Sequence, residues 1–248
     1  MMKLDVLAFA AHPDDTELSC AGTLAALAEQ GLAVGVVDLT RGEMGSRGNP
    51  KLRLKEAQQA AEVIGLSVRD NLGLPDTELA NSRENQLPII QSIRTYRPHI
   101  CIITAPEDRH PDHGHATKLL TDAIFYSGLV KIETQGDNRH PQNPHRPAHV
   151  LHYMQDTPFE PDFIFDITDT ISIKEKAIQA FSSQFNVADP GEEPETYISD
   201  PSFFEALRAR AKQMGHLGGF EYGEGFLYQK KPFPAKDFSF LMATTPKR

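Results

Sequence analysis

The sequence predicts an α/β fold of the Rossmann-like, doubly wound type, with a mostly parallel sheet and helices on both faces. Three observations support this prediction. Strand-length apolar runs alternate with helical patterns through the first half of the chain. The first run, LDVLAFAA at 4–11, is continuously apolar, as in parallel strands that are buried on both faces. Glycines at 31 and 65 stand where the first two helical patterns end.

The remaining elements follow in regular order. After the first strand, apolar residues recur at helical spacing from Thr16 to Gly31. Further strands are predicted at 33–40, 67–74, 99–106, 149–155, 162–168 and 223–231, and further helices at 51–64, 84–97, 115–127, 171–185 and 202–214. Polar or glycine-rich loops are predicted at 41–50, 134–147 and 189–201, and the tail at 233–248 matches no pattern. We interpret residues 1–248 as a single domain, which this length allows.

Composition excludes several classes of protein. The formal charge is −9 and the basic residues are scattered, so we expect no binding to nucleic acid or to an anionic membrane. The longest apolar runs fall short of the roughly 20 residues that cross a bilayer, and the N-terminus does not resemble a signal peptide. Cys20 and Cys101 lie in apolar patterns and are expected to be buried, although a bridge between them stays open. These features favour a cytoplasmic protein.

Two polar motifs follow apolar strands. His12-Pro13-Asp14-Asp15 comes directly after the first strand, where Asp14 and Glu17 also fit a helix capping box. Capping requires neither a histidine nor a second aspartate, so a metal or catalytic site is the alternative. EDRHPDHGH at 107–115 follows the strand at 99–106, and its alternative is a solvated loop that caps a helix.

The positions of the two motifs favour a site. In a doubly wound sheet, ligands bind beyond the carboxyl ends of the strands, at the point where the strand order reverses. With the order 3-2-1-4-5, the first and fourth strands are neighbours at that point. Both motifs would then open into one crevice.

The residue types fit metal-assisted hydrolysis of a carbonyl bond. Three nitrogen or oxygen ligands with an open fourth position describe a catalytic zinc site, and His12, Asp15 and His113 are the predicted ligands. A His₂Asp site also accepts Fe²⁺, Mn²⁺ or Co²⁺. Asp14, adjacent to a ligand, is the predicted general base for a polarised water.

Two further residues of the second motif receive predicted roles. His110 faces the substrate, where it stabilises an oxyanion or protonates the leaving group. Asp112 orients His110 and keeps it charged.

The motifs AHPDDTELSCAGTL and HPDH resemble those of the LmbE-like (PIG-L) family of zinc-dependent N-acetylglucosamine deacetylases. The similarity extends over roughly residues 3–232. The segments RLKEAQQAAEVIG (53–65), LPD (74–76), IRTYRP (93–98), SQF (183–185) and GEGFLYQKKP (223–232) resemble the branch that acts in bacillithiol biosynthesis. The resemblance implies the same zinc ligands, base and acid at the matching positions, and homo-oligomers are common in this branch.

The resemblance also suggests substrate contacts. Arg53 matches an arginine near the sugar, with an ordinary exposed helix arginine as the alternative. Tyr197 resembles a mobile-loop tyrosine that reaches the oxyanion, with packing of its own loop as the alternative. Some relatives carry a tyrosine where this chain has Asp108, so a tyrosine contact from that loop is not expected.

The predicted activity is hydrolysis of the N-acetyl group of an N-acetylglucosaminyl conjugate, with N-acetylglucosaminyl malate as the expected substrate. A malate carboxylate could be bound by Arg41, Arg47 and Arg53, and the alternative is that these arginines serve only solubility. Another N-acetylglucosamine substrate, such as a chitooligosaccharide, remains an alternative, as do phosphoester cleavage and a non-catalytic sugar-binding protein. A nucleotide-binding Rossmann protein is disfavoured, because no G-x-G-x-x-G follows a strand.

Overall fold

The computed structural model describes residues 2–136, 139–185 and 194–232, and these form one twisted sheet with helices on both faces. The strands are β1 (Val6–Ala10), β2 (Val34–Asp38), β3 (Val68–Asn71), β4 (Ile100–Ile103), β5 (His149–Tyr153), β6 (Phe163–Asp166) and β7 (Gly223–Tyr228). The helices are α1 (Asp15–Glu29), α2 (Pro50–Ile64), α3 (Arg83–Tyr96), α4 (Pro111–Ser127), α5 (Ile171–Gln179) and α6 (Pro201–Gly218).

The strand order is β3-β2-β1-β4-β5-β7-β6. The first five strands in this order pair in parallel, whereas β7 runs antiparallel to both β5 and β6. The predicted order 3-2-1-4-5 and the mostly parallel character of the sheet are therefore confirmed. The strand order reverses between β1 and β4, which pair through Val6 and Ile100, Leu7 and Cys101, and Ala8 and Ile102.

Alternate side chains of β1 pack into two separate hydrophobic clusters. Val6 and Ala8 of β1 join a cluster that includes residues of α1, α2, α5 and α6. Leu7 and Phe9 join a second cluster with residues of α3 and α4. Because the side chains of β1 are buried on both faces, its sequence can be apolar without alternation. Cys20 and Cys101 are buried free thiols, one in each cluster.

Three helix boundaries differ from the sequence-based prediction by four residues or more, and one of them is the end of α6 at Gly218 rather than at 214. The helix expected at 171–185 ends at Gln179, because the Glu56 carboxylate accepts hydrogen bonds from the backbone and hydroxyl of Ser183 and so stabilises a turn there. The helix expected to begin at 115 begins at Pro111, since proline is favourable in the first helical position. The HPDH motif is therefore the beginning of α4 rather than a loop before it.

Apart from Pro50 and Pro201, which begin α2 and α6, the described parts of the predicted loops lack regular strands and helices and contain one isolated bridge, between Gln135 and Pro141. Within 189–201, residues 197–199 form a turn and α6 starts at Pro201, while 189–193 and the tail at 233–248 lie outside the described residues. Among the described helices, none has the length and apolar character that crossing a bilayer would demand.

Candidate active site

The turn after β1 holds Asp14 in a strained conformation. Asp14 precedes α1 with φ 125° and ψ −22°, a backbone conformation that residues other than glycine rarely adopt. Its side chain makes no capping hydrogen bond to the helix, and Glu17 instead contacts Arg69 and Thr16. The capping box is therefore not formed. Strain of this kind, which costs about 1–3 kcal/mol, persists where the surrounding structure enforces it, often at functional sites.

The strain gives a stability prediction. Asp14→Gly is expected to raise the free energy of unfolding by about 1 kcal/mol or more relative to Asp14→Ala, because glycine tolerates this φ and alanine does not. Both variants lose the same carboxylate, so that loss cancels in the comparison. At an unstrained position glycine is the less stable of the two by about 0.5–1 kcal/mol. Urea denaturation of both variants measures the order, and an alanine variant as stable as the glycine variant would contradict the strain.

The turn after β4 places three more residues at the same edge of the sheet. His110 is the N-cap of α4, and its Nδ1 accepts a hydrogen bond from the backbone N–H of Asp112 at 3.3 Å. Asp112 and His113 then lie in the first helical turn. Pro111 in the first helical position fixes where this turn begins.

The two motifs meet in space. The ring centroids of His12 and His110 lie 4.8 Å apart, those of His12 and His113 5.6 Å, and those of His110 and His113 5.1 Å. Asp15 lies between two of these rings. Its Oδ1 is 3.0 Å from His113 Nε2, and its Oδ2 is 3.7 Å from His12 Nδ1 and accepts the His12 backbone N–H at 2.8 Å.

Asp112 contacts a different histidine from the one expected. The sequence analysis assigned its carboxylate to His110, but Asp112 Oδ2 lies 3.2 Å from His12 Nε2 and accepts the Thr77 N–H at 3.0 Å. The predicted orientation of His110 by this carboxylate is corrected accordingly. The prediction that Asp112 keeps His110 charged stays a prediction: Asp112 raises the pKa of His110, but burial, His12 and His113 together lower it.

Two carboxylates at the site, Asp76 and Asp108, were not among the predicted site residues. Asp76 Oδ1 lies 3.1 Å from His12 Nε2, while its Oδ2 accepts the Met44 N–H at 2.9 Å. Asp108 Oδ2 lies 2.6 Å from His113 Nδ1. Both follow strands that end at the same edge of the sheet, and that position was the available signal.

The titratable groups perturb one another strongly. Burial raises the pKa of Asp14 to about 7, although Arg53 opposes this shift. Burial also raises the pKa of Asp15, but His113 and His12 outweigh it and hold this pKa well below its usual range. Burial lowers the pKa of His113, yet Asp15 and Asp108 raise it to about 9. Asp15 and His113 therefore stabilise each other's charged forms.

This donor set suits a divalent cation. Nitrogens of His12, His110 and His113 can lie within 4.8 Å of one another, as can one ligand atom each from His12, Asp76 and Asp112. The predicted set of His12, Asp15 and His113 is joined through Asp15, whose two oxygens face one histidine each. Imidazole and carboxylate donors at this spacing match the ligands of catalytic zinc and of related metals.

Arg53 is buried rather than an exposed helix arginine. It lies on α2 with 5 % of its surface exposed, and its Nη2 donates to Asp14 Oδ2 at 2.7 Å and to the Pro13 carbonyl. In this structure its partner is the predicted base. Contact with substrate stays a prediction for Arg53.

The motifs open into a cavity of about 350 Å³. Tyr197 lies on its rim, 55 % exposed, with its hydroxyl donating to Asp156 Oδ1 at 3.1 Å and the Arg109 guanidinium 4.5 Å from its ring centroid. Its contact with substrate is likewise still a prediction. Of the three arginines suggested for a malate carboxylate, Arg47 and Arg53 line this cavity and Arg41 does not.

Comparison with known proteins places the chain in a family. The family profile described as PIG-L, GlcNAc-PI de-N-acetylase, matches residues 7–124 and so spans both polar motifs. The diacetylchitobiose deacetylase of Thermococcus kodakarensis is 31% identical over 90% of this chain and 82% of its own. A probable N-acetyl-α-D-glucosaminyl L-malate deacetylase 2 of Bacillus anthracis is 29% identical over 46% of this chain and 56% of its own.

A solved structure extends the comparison to the whole fold. The conserved protein TT1542 of Thermus thermophilus superimposes with a TM-score of 0.82 and 37% identity, covering 94% of this chain and 98% of that one. The relative from Thermococcus likewise matches nearly the full chain. The chain therefore belongs to the PIG-L family of metal-dependent deacetylases, which are amide hydrolases.

Proposed function

We propose that this protein removes the acetyl group from the glucosamine nitrogen of an N-acetylglucosaminyl conjugate, that its metal is zinc, and that the conjugate is N-acetylglucosaminyl malate. One observation carries the proposal. The buried Asp14 carboxylate, held by Arg53, lines the same cavity as His12, His110 and His113. A base beside a histidine and carboxylate cluster is the arrangement that metal-assisted hydrolysis of an amide uses.

Different residues of the chain have different roles in the proposed reaction. His12, Asp15 and His113 would hold the cation, which when bound lowers the pKa of water from 15.7 towards about 7 and polarises a carbonyl. Asp14 takes the proton from the attacking water, and burial holds its pKa at about 7, which suits a base near neutral pH. Arg53 keeps the carboxylate of Asp14 directed into the cavity through its 2.7 Å hydrogen bond.

His110 is the proposed electrostatic partner. Its Nδ1 accepts the Asp112 N–H, so in the neutral ring the proton sits on Nε2. The lowered pKa of His110, caused by burial and by His12 and His113, favours that neutral ring. An Nε2–H donor stabilises the developing oxyanion, and one such contact is commonly worth about 3 kcal/mol of barrier.

Arginines on the cavity wall support an anionic substrate. Arg210 lines the cavity, and the hydrogen bonds of its guanidinium go to the main-chain carbonyls of Gln155 and Leu18. Burial lowers its pKa, Asp156, Glu224 and Asp108 oppose this shift, and a ligand anion would stabilise the charged guanidinium further. Arg109 lies on the same wall, paired with Asp156 at 3.0 Å. A malate carboxylate could pair with Arg210, which a neutral sugar could not do, so this wall supports the malate conjugate.

A disaccharide is the second candidate substrate. The relative from Thermococcus kodakarensis, which is 31% identical, is named a diacetylchitobiose deacetylase. The His and Asp donor set would also accept Fe²⁺, Mn²⁺ or Co²⁺ in place of zinc. Substrate and metal therefore need separate measurements.

An acetate-release assay tests the proposal. Purified protein loaded in turn with each metal is offered N-acetylglucosaminyl malate, diacetylchitobiose and N-acetylglucosamine, and kcat/KM is measured for each. The malate conjugate is expected to have the highest value, and Arg210→Met to lower this value while sparing diacetylchitobiose. A preference for diacetylchitobiose would reject malate but keep deacetylation, whereas no acetate from any substrate with any metal would reject deacetylation of this substrate class.

A further inference from the structure

The orientation of the His113 ring depends on Asp108, a residue with no role in the proposed chemistry. Asp108 Oδ2 lies 2.6 Å from His113 Nδ1, and the side chain of Asp108 is 1% exposed. The opposite nitrogen, Nε2, lies 3.0 Å from Asp15 Oδ1. One nitrogen of the ring is thus occupied by a carboxylate outside the proposed ligand set, and the other faces a proposed ligand.

Asp108 is itself fixed in place. Its second oxygen, Oδ1, accepts a hydrogen bond from the backbone N–H of Thr157 at 2.6 Å, just beyond β5. The carboxylate therefore connects the β4–α4 turn to the segment that follows β5. Because each oxygen has its own partner, the group cannot rotate without losing one hydrogen bond.

The other proposed histidine ligand has the same arrangement. His12 Nε2 lies 3.1 Å from Asp76 Oδ1 and 3.2 Å from Asp112 Oδ2, while its Nδ1 faces Asp15 Oδ2 at 3.7 Å. Each ring thus presents one nitrogen to Asp15 and the other to a buried carboxylate. Histidines that bind metals commonly donate their second N–H to such a partner, which sets the tautomer and the ring orientation.

We propose that Asp108 is a positioning residue that accepts a hydrogen bond from the Nδ1–H of His113 and thereby reserves Nε2 as the metal-binding nitrogen. The inference rests on the proposed function, since it takes His113 as a metal ligand. Asp76 and Asp112 have the equivalent role for His12, reserving Nδ1. Asp108 is the best test of the three, because its side-chain partner is the single ring of His113 and its other hydrogen bonds come from the backbone N–H groups of Thr157 and Arg109.

Asparagine at position 108 separates this role from simple packing. The Thr157 N–H needs an acceptor, so the asparagine oxygen must face Thr157 and its NH₂ group must face His113 Nδ1. That nitrogen must then be unprotonated, which moves the proton to Nε2 and blocks the metal. Alanine removes the partner and leaves both tautomers accessible. The tautomer role therefore predicts weaker metal binding for Asp108→Asn than for Asp108→Ala, and a packing role predicts the reverse order.

Zinc affinity of the purified full chain, measured by competition with a chromophoric chelator, is the readout. Asp108→Asn is expected to lose about 10–100-fold in affinity and Asp108→Ala less. Asp156→Asn is the matched control, since Asp156 lines the same cavity but forms hydrogen bonds with Arg109 and Tyr197. The zinc affinity of this variant should equal that of the wild type. Thermal unfolding of each metal-free variant checks that the fold is retained.

The outcomes are distinct. If His113→Ala binds zinc as tightly as the wild type, the ligand set of the proposed function is wrong and the inference fails with it. If His113→Ala loses zinc while Asp108→Asn binds like the wild type, or better than Asp108→Ala, only the inference is overturned. Long-range ¹H–¹⁵N NMR of the zinc-loaded wild type needs no variant: protonated Nδ1 in His113 supports the inference, and protonated Nε2 overturns it.

Discussion

Asp14→Asn is expected to bind its metal normally and to lose turnover by about 10²–10⁴-fold. Asparagine has nearly the same shape as aspartate, and its amide oxygen can still accept the hydrogen bond from Arg53 that Asp14 Oδ2 accepts at 2.7 Å. It cannot take up a proton at neutral pH. The variant thus removes proton transfer and leaves the proposed ligands His12, Asp15 and His113 in place.

Two measurements check this result together. The rate of acetate release gives the loss in kcat, and metal analysis of the same sample gives the number of ions per chain. Asp122→Asn is the control, because Asp122 is a carboxylate on α4 that bonds Asn81 and Lys118 away from the cavity. An Asp14→Asn variant with nearly normal kcat would reject the assignment of the base, and one without metal would mean that Asp14 also supports the cation.

The approach of the two motifs could be predicted because it follows from topology. Parallel strands direct their carboxyl ends to one edge, and the reversal of strand order between β1 and β4 brings the turns after these strands together. Residue types and strand order alone therefore suffice to bring His12 and His113 into one crevice. The ring-centroid distance of 5.6 Å between them agrees with that reasoning.

The contacts between individual carboxylates and histidines could not be predicted in the same way. Which nitrogen of a ring faces which oxygen depends on side-chain rotamers and on where a helix begins. Because α4 begins at Pro111 rather than at 115, the Asp112 carboxylate is directed to His12 instead of to His110. Asp76 reaches His12 across 64 residues of sequence, a contact that no local pattern encodes.

Neither the strained backbone of Asp14 nor the buried position of Arg53 could be predicted from the sequence pattern. Asp14 fits a capping box by composition, yet its φ of 125° turns the side chain away from the helix and towards Arg53. Arg53 has the spacing of an ordinary helix residue, but the loop at 41–50 packs against its guanidinium through Gly42 and Gly45 and so helps to bury it. Local preference and functional geometry disagree at these positions, as is common at active sites.

The second large effect concerns the buried ion pairs behind the site. Arg69 of β3 donates to both oxygens of Asp38, at 2.9 and 2.8 Å, and to Glu17 Oε1 at 2.6 Å. The side chains of Arg69, Glu17 and Asp38 are 2%, 0% and 1% exposed. Since Glu17 lies in the first turn of α1, this cluster also anchors the turn that carries Asp14 and Asp15.

Arg69→Met is expected to lower the free energy of unfolding by about 3–5 kcal/mol at neutral pH, because it leaves two buried carboxylates without their cation. This loss of unfolding free energy should be smaller at acidic pH. Burial already raises the pKa of Asp38 to about 6 against the opposing Arg69, and without Arg69 this pKa rises further. A folded-state pKa above the unfolded value makes the folded state bind more protons, so stability falls as pH rises from about 4 through the folded-state pKa.

Urea denaturation at several pH values measures this trend. The control is Arg208→Met, which breaks a pair with Glu175 in which the arginine is 51% exposed and should cost no more than about 1 kcal/mol. The control's loss should also vary little with pH, because the Glu175 carboxylate is partly exposed and stays hydrated without its partner. A loss for Arg69→Met as small as the control's, or one that does not change with pH, would mean that Arg69 does not hold the Asp38 carboxylate ionised.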